Sequence, residues 1–163
     1  MKTLTIIAAL LLGNAVGAQS SSPFKPMAFL ADHCWKGEVS KGQTDEHCFT
    51  WLYGGIGLRD THVVRTPGRP DYVGETTYYY DSARKKIEFL YIENAGGVSV
   101  GSMEPEGETL VFPPTAYVNN GEAMTYRVRW TPIGEKSYEA HSEMRAAGGA
   151  WQTQFKTLLN RVD

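Results

Sequence analysis

Met124, Tyr126, Val128 and Trp130 alternate with Thr125, Arg127 and Arg129, so this stretch has one apolar side and one polar side. A period of two is the signature of a half-buried strand. The same alternation sets Tyr138, Ala140, Ser142 and Met144 against Glu139, His141, Glu143 and Arg145, and gives the last strand a face of Trp151, Thr153, Phe155 and Thr157. From Trp35 to the C-terminus the chain reads as about ten such short strands, punctuated by Gly, Pro, Asn and Asp. No segment sustains an apolar period of 3.6. An all-β chain has to dispose of its sheet edges, and closure does this completely. The expected fold is therefore all-β, an up-and-down antiparallel β-barrel.

The first hairpin assigns faces. If Trp35 to Val39 and Thr44 to Tyr53 turn around Ser40-Lys41-Gly42, the register that opposes Val39 to Gln43 also opposes Cys34 to Cys48. Opposed residues share a side of a sheet. One face then carries Trp35, Gly37, Val39, His47, Phe49, Trp51 and Tyr53 and is placed inside; the cysteines share the outer face with Lys36, Glu38, Glu46 and Thr50. Across Gly54-Gly55-Ile56-Gly57, a four-residue turn sets Tyr53 opposite Leu58, Trp51 opposite Asp60, Phe49 opposite His62 and His47 opposite Val64. Asp60 and His62 then point inward beside His47.

Four more strands are expected over Tyr72 to Tyr80, Ile87 to Asn94, Val98 to Met103 and Thr109 to Phe112. The run Tyr78-Tyr79-Tyr80 cannot all face one way, which leaves the lumen side of Tyr72 to Asn94 open. Pro113-Pro114 is expected to end its strand, because proline cannot donate to a central ladder. Thr115 to Gly121 then becomes an open loop near a barrel mouth, with Asn119-Asn120-Gly121 as its turn.

The N-terminus changes the compartment. Lys2, the apolar run Leu4 to Leu12, and Val16-Gly17-Ala18 have the three parts of a secretory leader, expected to be cleaved after Ala18; the competing reading is a retained N-terminal helix. The apolar run is too short to span a bilayer and no membrane insertion is expected. Residues 19–163 then form one domain, exported to the periplasm or the medium, with the formal charge moving from -2 to -3 as Lys2 is lost. Basic residues are scattered among acidic ones (Arg59 with Asp60, Arg84 with Asp81), which argues against a nucleic-acid partner. In an oxidising compartment an even pair of cysteines reads as a disulfide, and the hairpin register supports a Cys34–Cys48 bond; two free thiols are the alternative.

Two groupings carry candidate chemistry. Gly97-Val98-Ser99-Val100-Gly101 matches the nucleophile elbow of α/β-hydrolases letter for letter, but an elbow needs a strand turning into a helix, and here a turn and another strand follow. Ser99 is read as an ordinary strand serine. His47, Asp60 and His62, with Glu75 joining from the next strand, are the candidates for catalysis. Together they could bind a zinc-like ion or supply a general-base pair. They could equally form a polar patch that orients a ligand at one end of a barrel. The patch is the preferred reading, so no metal is assigned. His33 is expected to cap or pack the opening segment.

The mature chain resembles the small exported bacterial barrels of the lipocalin-like, or calycin, kind, which share their shape with fatty-acid-binding proteins. The residues that carry this are Phe29-Leu30-Ala31-Asp32-His33-Cys34-Trp35-Lys36-Gly37, Gly54-Gly55-Ile56-Gly57, Tyr80-Asp81 with Gly96-Gly97-Val98, and Gly149-Ala150-Trp151 before a strand ending in Arg161. The resemblance implies an internal pocket for a small, largely apolar molecule and carries over no catalytic residue. Nitrobindin-type barrels, a relative with chemistry, hold haem through a histidine near the C-terminus. Here no histidine follows His141, which is placed on the outer face, so haem is not expected.

Large aromatics interleaved with Gly, Ala, Ser and Thr leave gaps that a uniform aliphatic core would fill. The chain is therefore read as a binding protein that holds a small hydrophobic or amphipathic molecule, with Phe49, Trp51, Tyr126 and Trp130 as wall residues and His47 or His62 giving a directed hydrogen bond. No cofactor is expected. A barrel enzyme or metal site built on His47, Asp60 and His62 is the alternative, and an interaction domain with a filled core is a weaker one.

Overall fold

A computed structural model describes residues 22–145 and 148–163. Ten strands run β1 (Cys34–Ser40), β2 (Gln43–Leu52), β3 (Gly57–Arg65), β4 (Tyr72–Asp81), β5 (Lys86–Glu93), β6 (Val98–Glu106), β7 (Thr109–Asn119), β8 (Glu122–Pro132), β9 (Ser137–Arg145) and β10 (Gln152–Arg161). Each pairs antiparallel with its sequence neighbours, and β1 pairs with β10 to close the barrel. The expected all-β up-and-down barrel is the observed architecture. The leader expected over residues 1–18 lies outside the described residues. Among those described, no helix is long and apolar enough to cross a membrane.

The β1–β10 seam is held by a short ladder, Trp35 opposite Arg161 and Lys36 opposite Asn160. A Cβ on Gly37 would sit 2.6 Å from the backbone oxygen of Leu158, so only glycine lets the two strands approach this closely. Thr157 Oγ1 donates to the Glu38 carbonyl across the same seam at 2.7 Å. His33 ties the two chain ends together: its Nδ1 lies 3.3 Å from Asp163 Oδ1, and its Nε2 accepts from the Arg161 guanidinium at 3.1 Å.

Cys34 is opposite Cys48, and the two form a disulfide. A bulge beyond Glu38 shifts the end of that hairpin, so that Ser40 rather than Val39 faces Gln43. The next turn also differs from expectation. Its four residues are Tyr53 to Ile56, which opposes Trp51 to Leu58, Phe49 to Asp60 and His47 to His62. The displacement is two residues, so every face assignment survives except that of Tyr53, which sits in the turn with positive φ and lies 86% exposed.

Pro113 and Pro114 do not end their strand. β7 continues to Asn119 through a bulge between Phe112 and Thr115, where ladder bonds are interrupted and proline is tolerated. The stretch read as an open loop is strand down to the tight Asn120-Gly121 turn, where both residues have positive φ. A second bulge, between Thr153 and Phe155 of β10, splits the face expected there. Phe155 lines the interior, whereas Trp151 lies beneath the guanidinium groups of Arg127 and Arg145 on the outer side. Among the three tyrosines, Tyr78 points into the barrel, while Tyr79 and Tyr80 are exposed.

The segment before β1 closes one end. Pro26 lies in the short 3-10 turn Lys25–Met27, and Phe24, Met27 and Leu30 are buried to 1% exposure or less. Trp35 Nε1 donates to the Leu30 carbonyl, and Phe24 and Phe29 pack edge-on against Trp51 and Trp35. These residues stopper the end that holds the Tyr53–Ile56 turn, and the buried core of Phe49, Leu58, Tyr138 and Leu159 lies directly against them.

Candidate functional site

Above that core the barrel is hollow. A cavity of about 830 Å³ runs from Trp130 and Leu159 at its base to Ser40, Thr66, Arg69 and Pro70 at the opposite rim. β8 and β9 supply one wall through Tyr126, Val128, Ala140 and Ser142, the small residues of the alternating pattern making the room that the aromatics do not fill. Of the expected wall residues, His47, His62, Tyr126 and Trp130 border the cavity. Phe49 and Trp51 lie below it: Phe49 packs edge-on under Trp130, and Trp51 meets the Phe24 stopper.

One wall is ionisable. Alternation along β2 aims Asp45 and His47 inward, and alternation along β3 does the same for Asp60 and His62. His47 Nδ1 donates to Asp60 Oδ2 at 2.8 Å, and its Nε2 to Asp45 Oδ2 at 3.2 Å. A carboxylate oxygen accepts, so this arrangement favours a proton on each ring nitrogen of His47. Burial alone would lower its pKa, but the charges and hydrogen bonds of Asp60 and Asp45 outweigh burial and hold it well above the usual histidine range. Asp45 shows the reciprocal effect: burial opposes its ionisation, yet His47 keeps its pKa below the ordinary carboxylate range. His62 is pushed down, by burial first and then by the His47 charge.

The two histidine rings stand nearly perpendicular, 4.8 Å apart. His62 has its own support, since Nε2 meets the Tyr91 hydroxyl at 3.2 Å and that hydroxyl meets Tyr72 at 2.6 Å. A Cβ on Gly74 would lie within 2.8 Å of both His62 and Tyr91, so this glycine makes the space in which the two rings meet. Burial raises the pKa of both tyrosines, leaving them neutral hydrogen-bonding groups. Beneath the cluster His47 stacks on Phe49, with Trp130 edge-on at 5.9 Å.

The structure thus brings His47, Asp60 and His62 together and adds Asp45, which sequence reasoning passed over although it shares the parity of His47 two residues earlier. Glu75 does not join them: it pairs with outward-facing Thr61 and is exposed, because Gly74 and Thr76 take the inward positions. Glu93 lies at the same end of the barrel but forms a turn, accepting from the Tyr117 hydroxyl and from the amides of Ala95 and Gly97. Ser99 sits within β6, donates to the Ala116 carbonyl and accepts from Tyr126, so no elbow exists there. His141 is outside, 3.4 Å from Thr153.

No family model matches this chain, and no curated protein matches it. Among solved structures it is similar to the crystal structure of Rv2717c from M. tuberculosis, with a TM-score of 0.59 at 15% identity over 86% of this chain and 98% of that one. Similarity at this level shows a shared fold alone.

Proposed function

We propose that this protein is an exported carrier or sensor that holds one small hydrophobic or amphipathic molecule inside its barrel. One observation carries the reading: a largely aromatic and aliphatic cavity of about 830 Å³, stoppered at one end and open at the other, with the ionisable cluster Asp45, His47, Asp60 and His62 gathered on its β2–β3 wall. Pockets for small molecules have this character, being apolar for affinity with a few convergent polar groups for orientation. Tyr126, Val128 and Trp130 would contact the apolar part of a ligand, and His62 with the Tyr91–Tyr72 pair would meet its polar part. The Cys34–Cys48 disulfide fits a compartment outside the cytoplasm, as does the leader-like N-terminus.

Titration with an anilinonaphthalene sulfonate probe tests this. The expected result is saturable binding of one probe per chain, displaced by medium-chain amphiphiles and abolished in Ala140→Phe, which fills the cavity from β9. Binding that is unsaturable, or that Ala140→Phe leaves unchanged, would place the probe on the outer surface and overturn the proposal.

A further inference from the structure

We propose that Asp45, His47 and His62 form a site for a divalent cation of the zinc class on the cavity wall. A ring nitrogen of each histidine and a carboxylate oxygen of Asp45 lie within 4.8 Å of one another. Tetrahedral zinc, with bonds of about 2.0–2.2 Å, needs its ligands some 3.2–3.6 Å apart, so small side-chain adjustments close the set. Two imidazoles and one carboxylate are a donor set that zinc accepts, and three protein ligands leave a fourth position for a ligand from the cavity.

Three features beyond the cluster itself point the same way. Asp60 holds His47 Nδ1 at 2.8 Å, the carboxylate–histidine arrangement that fixes a ligating ring with its Nε2 forward. The Tyr91 hydroxyl does the same for His62 through Nε2. Asp45 is 5% exposed and its Oδ1 is buried without a hydrogen-bond partner among the described residues, an acceptor left unused.

A cation bound there takes the place of the proton shared between His47 Nε2 and Asp45 Oδ2, which is released to solvent. This site does not depend on the organic ligand proposed above, because zinc can bind with the rest of the cavity filled by water.

The test uses chelator-treated protein reloaded with zinc or cobalt(II) and then gel-filtered. One equivalent of zinc per chain is expected in the wild type and in His33→Ala and His141→Ala, whose histidines lie outside the cavity. His62→Gln is expected to lose it, and Asp60→Asn to bind about 10- to 100-fold more weakly as a positioning residue. Cobalt(II) should give the intense visible bands of a tetrahedral site. Wild-type protein that retains no metal and shows no such bands would overturn the proposal, whatever the variants do. Equal zinc in wild type and His62→Gln, or its loss in His33→Ala or His141→Ala, would overturn it too. His62 is only partly buried, and a far-UV spectrum of His62→Gln separates loss of metal from loss of fold.

Discussion

Tyr138 is fully buried among Trp35, Phe29 and Trp130, yet its hydroxyl has no partner among the described residues. A buried donor without an acceptor costs its desolvation, so Tyr138→Phe is expected to raise stability by about 1 kcal/mol in urea unfolding. A loss of that size would show that the hydroxyl is bonded after all. Gly74 is the opposite case, a position where any side chain collides. Gly74→Ala drives a Cβ against His62 and Tyr91, with an expected cost of about 1–3 kcal/mol and a change in the His62 ring resonances by NMR. At this scale the sequence was informative wherever strand parity alone decides. The inward placement of His47, Asp60 and His62 follows from alternation, and so does that of Asp45. What alternation could not show is which nitrogen meets which oxygen, since that depends on a register fixed by turn geometry and not by side-chain type.

Strands behave differently, because a bulge resets everything beyond it. The hairpin that opposes Cys34 to Cys48 was legible from its two cysteines and the turn between them, and the bond closes a loop with a sequence separation of 14. The chain-entropy model gives such a loop about 3 kcal/mol, so a Cys34→Ser, Cys48→Ser double variant should lose close to this in denaturant unfolding, with reduction of the wild type giving a similar loss. The bulges in β7 and β10 had no comparable signal. Pro113-Pro114 reads equally well as the end of a strand or as an interruption within one, and only the ladder on both sides distinguishes them. The seam between β1 and β10 is also a matter of backbone distance. Gly37→Ala forces a methyl onto the Leu158 carbonyl and is expected to lower the midpoint of thermal unfolding more than alanine at Gly107, where no described atom lies within 4 Å and the cost is that of the left-handed backbone (φ 62°) alone.

For the molecule as a whole, the sequence carried the architecture: ten alternating segments with short turns have few ways to hide their edges. It did not show the stopper, because Phe24, Met27 and Leu30 belong to no strand and their burial depends on an open barrel end waiting to receive them. Met27→Ala is expected to cost about 2–5 kcal/mol, the range for an emptied core position, measured by the same unfolding transitions. A barrel closed at one end by its own chain is a cup and not a pipe. Whatever enters passes Arg69 and Pro70 at the rim, and must leave past them again. Arrival and departure therefore cross the same barrier, so a change at the rim that leaves the bound state untouched speeds or slows both by one factor. For the ligand proposed above, residence time would then be adjusted at the lip while affinity is set deeper in the cavity.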